Sequence, residues 1–199
     1  MLTDFYRTVT VVERDVLPDG PANRRGVPQG RHVHALLGRG SQVLSELFPG
    51  FLDELVAAGA PVLDYSDLSK GFFCATGHQF LCTGGFTNIP PSFLPSRPLL
   101  ESLVRRRVRE TANVTLLEGY DLVDLTSTPT RGRITGAHVH GESDQVLTAN
   151  LVVDATGRGS RTPVFLATLG TGARAKTKWA CVWFIPVSYC GSRRACSRN

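Results

Sequence analysis

The sequence predicts an α/β protein with a mainly parallel sheet and an additional β layer. The apolar, β-branched run Val9 to Val12 predicts a short buried strand, as in a parallel sheet. A second apolar run, Leu147 to Asp154, predicts another buried strand, which leads through a glycine-containing turn into a helix from about Thr162 to Leu169. Helical and β-rich segments lie between the two runs. This order is typical of an α/β fold with a β layer inserted between its parallel strands.

The segment after the first predicted strand indicates two helices and then a β-rich layer. Apolar residues recur at helical spacing from Val33 to Leu47, and a second helix is predicted near Phe51 to Ala58. From Pro61 to Pro95 there is no long helical period, and glycines separate short segments such as Gly71 to Ala75 and His78 to Cys82. We therefore expect short strands in this region.

An amphipathic helix and a group of strands are predicted in the next part of the chain. The helix runs from Pro98 to about Thr111, a strand follows at Val114 to Leu117, and a hairpin is predicted from Asp121 to Thr126 and Ile134 to His140. The helix carries an arginine cluster, Arg105, Arg106, Arg107 and Arg109. We interpret this cluster as a solvated helix face rather than as a nucleic-acid patch.

The positive net charge of +5 comes from the C-terminal residues. Six of the 22 basic residues follow Gly170 and all 17 acidic residues precede it, so residues 1–170 carry 16 basic and 17 acidic groups. The composition does not require a nucleic-acid partner. Residues 171–199 also hold both tryptophans and three of the five cysteines. We predict a domain over residues 1–170 followed by an atypical, poorly ordered basic tail over 171–199; a functional tail remains the alternative.

Cysteine usage and hydropathy predict a cytoplasmic protein. The five cysteines form neither a CxxC pair nor a zinc-ligand spacing, so reduced thiols and no metal site are expected. No run of 18 apolar residues is present, and Met1 to Tyr6 lack the features of a signal peptide.

Glu13, at the end of the first predicted strand, is a candidate nucleotide-binding residue. In dinucleotide-binding units an acidic residue at the end of the second strand accepts hydrogen bonds from ribose hydroxyls, about 20 residues beyond a G-x-G-x-x-G turn. Glu13 fits this position. The local sequence also allows a strand-end glutamate that faces water.

The turn that begins at Asp154 is a second candidate. Residues Asp154 to Ser160, with the sequence DATGRGS, lead from the second apolar run into a helix. We expect both apolar runs to belong to one mainly parallel sheet, with Glu13 and Asp154 at its C-terminal edge. Such a turn exposes backbone N–H groups and a positive helix end, which suit a pyrophosphate. Because any α/β protein favours glycine in a strand-to-helix turn, a purely structural role remains equally open.

These residues resemble FAD-dependent oxidoreductases related to p-hydroxybenzoate hydroxylase, the flavoprotein monooxygenases. The resemblance rests on four ordered segments within about residues 1 to 170. They are Glu13 to Asp15 (ERD), Arg25 to His34 (RGVPQGRHVH), Ser96 to Leu103 (SRPLLESL, like the R-x-x-L-x-x-x-L helix start of the family) and Asp154 to Arg161 (DATGRGSR).

The resemblance implies an FAD site in an incomplete Rossmann-like domain. Glu13 would contact the adenosine ribose, Arg31 and Arg97 would lie near the FAD, and the turn from Asp154 to Gly157 would lie near the pyrophosphate or an incoming NAD(P)H. Charge-assisted contacts suit arginines beside phosphates. The alternative for Arg31 and Arg97 is a pair of surface arginines.

The resemblance implies no catalytic side chain in this sequence. His32 and His34 lie next to Arg31 and are assigned no catalytic role. In this family the flavin carries the reactive chemistry, and the protein orients it and excludes water. The substrate would be a small organic molecule; the oligomeric state is left open.

The sequence departs from the family pattern at both ends. The glycine-rich first turn is absent, Met1 to Tyr6 are typical of the last turn of a helix, and the later Gly-Asp motif is also absent. We therefore expect a fragment of such an oxidoreductase, with weak or absent FAD binding and doubtful activity. The alternative is a non-enzymatic gene-fragment product with no selected activity or only residual nucleotide binding.

The predicted domain boundary at Gly170 can be tested by limited proteolysis. Because the tail lacks a consistent hydrophobic period and collects basic residues, trypsin is expected to cleave first at Arg174, Lys176 and Lys178. Mass spectrometry of early products would identify the cut sites. A tail as resistant as the Leu147 to Asp154 segment would contradict the boundary.

Overall fold

Two strands, one before and one after the helical region, pair in parallel within the first compact unit of the protein. In the computed structural model, the described backbone comprises residues 1–32, 34–71, 73–75 and 77–170. It divides into two compact units, Met1–Val152 and a second unit that begins at Val153. The predicted tail, residues 171–199, lies outside the described residues.

The helices agree with the sequence pattern apart from one start. The α-helices of the described residues are α1 (Gly38–Leu47), α2 (Phe51–Ala57), α3 (Arg97–Arg109) and α4 (Thr162–Thr168). Helix α1 begins at Gly38, so the predicted start at Val33 is wrong. Leu36 instead pairs its backbone with Phe93, with N···O distances of 2.7 and 3.0 Å, and Leu37 is also extended.

Short 3-10 turns complete the helical segments. They lie at Leu2–Asp4, Pro28–Arg31, Leu68–Lys70 and Gly157–Gly159. The predicted helical turn at Met1 to Tyr6 is thus a single 3-10 turn, in which Asn113 Nδ2 donates to the carbonyls of Thr3 and Tyr6 at 3.0 and 3.1 Å.

The strands form one parallel and three antiparallel sheets within the described residues. They are β1 (Val9–Glu13), β2 (Val62–Leu63), β3 (Phe73–Ala75), β4 (His78–Phe80), β5 (Ser92–Phe93), β6 (Val114–Glu118), β7 (Asp121–Ser127), β8 (Ile134–His140) and β9 (Asp144–Thr148). Strand β1 pairs with β6 in parallel, β2 with β5 and β3 with β4 in antiparallel, and β7, β8 and β9 form a meander. The α/β class and the additional β layer are confirmed.

The predicted buried strand from Leu147 to Asp154 is wrong. The strand in this region is β9, which completes the meander, and the last backbone hydrogen bond to β8 runs from Ala149 N–H to the Thr135 carbonyl at 2.9 Å. Residues 149–154 form no strand, and Leu151 and Val153 are exposed. A strand needs a hydrogen-bonded neighbour, and none of the described strands supplies one here.

The main core lies between α1, α2, β5 and α3. It contains Leu36, Phe48, Phe51, Leu55, Ala60, Phe93, Leu100 and Leu103. Phe51 and Leu55 are fully buried, so α2 anchors this cluster. Because Leu100 and Leu103 face it, the rotation of α3 about its own axis is fixed, and with it the direction of the polar residues on the other faces of that helix.

Leu55→Ala should destabilise the protein by about 2–5 kcal/mol, since it removes a fully buried side chain and leaves a cavity. Urea denaturation followed by circular dichroism measures the change. Val56→Ala on the same helix, at a 43% exposed position, is the matched control and should change stability by less than about 0.5 kcal/mol. Equal effects of the two substitutions would contradict the described core.

Candidate functional site

The structure places Glu13 at the carboxyl end of β1, as predicted. The parallel register pairs Glu13 with Glu118 at the end of β6. The Glu13 side chain is half-buried, and its Oε1 accepts a hydrogen bond from the backbone N–H of Asp15 at 3.0 Å. Ligands of open α/β sheets bind outside the carboxyl ends of parallel strands. Glu13 therefore occupies the edge at which a nucleotide is expected.

Arg24 lies in the loop after β1, and its guanidinium lies among three carboxylates. Its Nη1 lies 3.1 Å from Asp15 Oδ2 and 3.7 Å from Glu13 Oε2, and its Nη2 lies 3.5 Å from Glu101 Oε2. The side chain is only 17% exposed. Its buried Nε has no hydrogen-bond partner among the described residues. Arg24 thus links the end of β1 to helix α3.

Helix α3 contributes Arg97 and Glu101. The helix begins where it does because the Ser96 side chain accepts a hydrogen bond from Leu99 N–H at 3.3 Å and Pro98 occupies the first turn. One turn separates Arg97 from Glu101, and Arg97 Nε donates to Glu101 Oε1 at 2.8 Å. We call Glu13, Asp15, Arg24, Arg97 and Glu101 the Arg24 network.

The Arg24 network leaves two groups available to a ligand. Glu13 Oε2 lies beyond hydrogen-bond distance of Arg24 and retains its capacity to accept. Within the described hydrogen bonds Arg97 uses only Nε, so its terminal nitrogens can donate. A carboxylate acceptor suits ribose hydroxyls and a guanidinium fork suits a phosphate. One acceptor and one pair of donors of this kind therefore fit the ribose and the phosphate of an adenine dinucleotide.

A third arginine adds positive charge beside the network. Burial, together with the positive charges of Arg109 and Arg24, lowers the pKa of Arg105 from its ordinary value. Arginine remains charged after any such shift. Arg105 also donates from Nη2 to the Gly20 carbonyl at 3.2 Å, which ties α3 to the loop that carries Arg24.

The other arginines of α3 contact carboxylates on neighbouring elements. Arg106 and Arg107 pair with Glu54 of α2, and Arg109 pairs with Glu118 of β6 and with Asp19. Partial burial acts to raise the pKa of Glu118, but hydrogen bonds from Arg109 and the Leu17 N–H outweigh it and hold the pKa below its usual value. The arginine cluster therefore ties α3 to its neighbours. That the protein binds no nucleic acid stays a prediction.

Arg31 ends the 3-10 helix Pro28–Arg31, which packs beside α3. Gly30 before it is buried, and a Cβ there would lie 2.7 Å from Asn23 Oδ1, so the turn approaches the loop next to Arg24 closely. The Arg31 residue is exposed. Its predicted role near the FAD stays a prediction.

Asp154 and Gly157 lie in the second compact unit. Asp154 accepts hydrogen bonds from the Thr156 N–H at 2.9 Å, from the Thr156 hydroxyl at 2.5 Å and from the Ser160 hydroxyl. Hydrogen bonds from Ser160, Thr156 and Thr162 hold the pKa of Asp154 far below its usual value. Gly157 has a φ of +68°, a left-handed conformation that favours glycine.

The structure therefore brings together two of the predicted residues, Glu13 and Arg97. The expectation that Asp154 lies with Glu13 at the edge of one parallel sheet is wrong, because Leu151 to Val153 form no strand beside β1. The carboxylate of Asp154 instead closes its own turn through local hydrogen bonds. The predicted contact of Asp154 and Gly157 with a pyrophosphate or NAD(P)H is not tested by this placement.

Sequence reasoning missed Arg24 and Glu101 as members of the site. Glu101 could have been found, since Arg97 stands at the start of a predicted helix and Glu101 follows it by four residues, a spacing that favours an ion pair. Arg24 carries no such signal, because its partners lie in the loop, at the strand end and 77 residues further along the chain.

Within the described residues, no group of three or more His, Cys, Asp or Glu residues is placed to hold a metal ion. In the same part of the chain, no helix combines the length and the apolar composition needed to cross a bilayer.

No family model matches the chain. A curated relative, Protein Rv3254 of Mycobacterium tuberculosis, is 40% identical over 182 residues; the match covers 85% of this chain and 37% of the relative. The chain thus spans little more than a third of that protein.

Solved structures with a similar fold include flavin-dependent proteins. PqsL, a probable FAD-dependent monooxygenase from Pseudomonas aeruginosa, has a TM-score of 0.55 at 19% identity, over 87% of this chain and 42% of PqsL. The myxobacterial FAD-dependent halogenase CndH has a TM-score of 0.52 at 20% identity, over 77% of this chain and 32% of CndH. Aklavinone-11 hydroxylase, solved with FAD and aklavinone, has a TM-score of 0.50 at 20% identity, over 80% of this chain and 30% of the hydroxylase. The chain carries part of the fold that these proteins share, which confirms the resemblance at the level of fold.

The Asp154 turn should open on acidification. Because its folded pKa lies below the ordinary value, the turn is fully stabilised above pH of about 3.9 and loses that stabilisation as pH falls towards the folded pKa. Amide exchange at Thr156, referred to the intrinsic rate at each pH, should show protection that decreases over this range. In Asp154→Asn the protection should be weaker and independent of pH. A pH-dependent Thr156 amide in Asp154→Asn would contradict the assignment.

Proposed function

We propose that this chain forms part of the FAD-binding domain of an FAD-dependent oxidoreductase of the monooxygenase type. One observation carries the proposal: Glu13 and Arg97, both expected to contact FAD, belong to a single ion-pair network at the carboxyl end of β1. The similarity in fold to FAD-dependent halogenases and monooxygenases supports it.

The proposed roles follow the chemistry of each side chain. Glu13 accepts hydrogen bonds from the adenosine ribose, and Arg97 and Arg31 donate to the phosphates of FAD. The turn from Asp154 to Gly157 offers backbone N–H groups to the pyrophosphate or to NAD(P)H. Bound flavin would supply the oxidation–reduction chemistry, and the chain would bind and orient it.

The proposal extends to a longer protein of which this chain is a part. The match to Rv3254 covers 37% of that relative, and the sequence contains no G-x-G-x-x-G turn. That turn supplies the N–H groups and helix N-terminus that face the pyrophosphate. We therefore propose that the chain alone binds FAD weakly, and that the small organic substrate and the NAD(P)H oxidation belong to the longer, cytoplasmic protein.

The 199-residue chain should not retain stoichiometric FAD, because the main partners of the two phosphate charges are absent. Absorbance near 450 nm, roughly the flavin band of such cofactors, and fluorescence titration with FAD measure retention and affinity. Tight binding by this chain would contradict the proposed dependence on the glycine-rich turn. Protein that binds no FAD in any form would favour the non-enzymatic alternative.

A version extended by a glycine-rich βα unit and by the remaining part of the family domain should bind FAD. In that protein Glu13→Ala should weaken FAD binding by about 1.5–3 kcal/mol, the range for a hydrogen bond to a charged group. Glu142→Ala, at an exposed glutamate between β8 and β9, is the matched control and should leave the affinity unchanged. Unchanged affinity of Glu13→Ala would exclude the ribose role.

A further inference from the structure

Glu101 uses both of its carboxylate oxygens within the Arg24 network. Oε1 accepts from Arg97 Nε at 2.8 Å, and Oε2 lies 3.5 Å from Arg24 Nη2. The side chain is 19% exposed, and its neighbours on α3, Leu100 and Leu103, are buried in the core. Core packing therefore fixes the place of this carboxylate, and the carboxylate in turn contacts two arginines from different elements.

The contact determines which edge of Arg97 remains available. A guanidinium donates through Nε and through two terminal nitrogens. Glu101 occupies Nε, and the terminal nitrogens have no partner among the described hydrogen bonds. Arg97 is 34% exposed, so these nitrogens can reach a ligand. A bidentate contact to a phosphate requires this kind of fixed fork.

The second contact of Glu101, to Arg24, connects helix α3 with the residues at the end of β1. Arg24 lies beside Asp15 and Glu13, so the Glu101 carboxylate helps to hold the residue that faces the proposed ribose acceptor. An ion pair at i and i+4 that only stabilised α3 would have no need of this contact, which spans 77 residues of sequence.

We propose that Glu101 is a positioning residue of the nucleotide site: it binds Arg97 Nε so that the terminal nitrogens of Arg97 face a diphosphate. This inference rests on the proposed function, because it assumes that Arg97 contacts the phosphates of an adenine nucleotide. Glu101 itself does not contact the ligand.

The test compares ADP with AMP on the 199-residue chain, by titration followed with NMR. Both ligands contain the same adenosine, so the ratio of their affinities reports the second phosphate. In the unmodified chain ADP should bind about tenfold more tightly than AMP, as expected for an added charge-assisted contact. Arg97→Ala should reduce the ratio towards one.

Glu101→Ala should reduce the same ratio towards one, although it leaves Arg97 in place. Combining Glu101→Ala with Arg97→Ala should cause no further reduction, because the two residues act through one contact. Glu101→Gln retains an acceptor for Arg97 Nε and should give an intermediate ratio. Glu110→Ala is the matched control; Glu110 is an exposed glutamate that follows α3 and lies outside the network, and the ratio should be unchanged.

The outcomes separate the inference from the proposed function. If the unmodified chain fails to bind ADP, or binds ADP and AMP equally, the inference is overturned. The proposed function assigns firm FAD binding to the longer protein, so it is tested separately by Glu13→Ala in the extended version. If Arg97→Ala leaves the ratio intact, the role of Arg97 and the inference fall together. If Arg97→Ala lowers the ratio to one but Glu101→Ala leaves it at about ten, only the inference is overturned. Thermal denaturation identifies any variant that does not fold, and should Glu101→Ala unfold, an unchanged ratio in folded Glu101→Gln overturns the inference.

Discussion

The parallel pairing of β1 with β6 is the constraint on which the rest of the site depends. Both ends of β1 are fixed: Val9 N–H donates to the Asn113 carbonyl at 2.9 Å, and Tyr120 N–H donates to the Glu13 carbonyl at 3.1 Å. Glu13 is thereby held at the carboxyl edge of the pair, where the chain turns away. The loop that follows can then bring Arg24 back to this edge, and α3 can present Glu101 and Arg97 beside it.

Arg24 joins these elements through charge rather than through apolar contact. A partly buried ion-pair network adds little net stability, because the charges must be removed from water, but loss of one member leaves the others uncompensated. Such a network therefore favours one arrangement of its side chains over others. This property suits the proposed nucleotide site, in which a carboxylate for ribose and a guanidinium for phosphate must be held together.

The sequence predicted those elements whose signal is local. The strand at Val9, the amphipathic helix α3 and the hairpin of β7 and β8 follow from hydrophobic period and turn residues, and the structure contains them. The strand at Leu147 was wrongly placed, since an apolar run does not reveal which neighbour will supply its hydrogen bonds. In the structure β8 supplies these hydrogen bonds to β9. Exposed and half-buried residues alternate along β9, but the strand begins with the polar residues Asp144 and Gln145 and so does not resemble an apolar run.

The sequence by itself determined the α/β class, the position of Glu13 at a strand end and the position of Arg97 at the start of a helix, because strand runs and helix caps depend on residues close in sequence. Only the tertiary structure decided that Glu13 and Arg97 share one network and that Arg24 and Glu101 connect them. Ion pairs between distant residues depend on how strands and helices pack, and this packing follows from the burial of residues such as Phe51, Leu55 and Leu103 over the whole unit rather than from any local pattern.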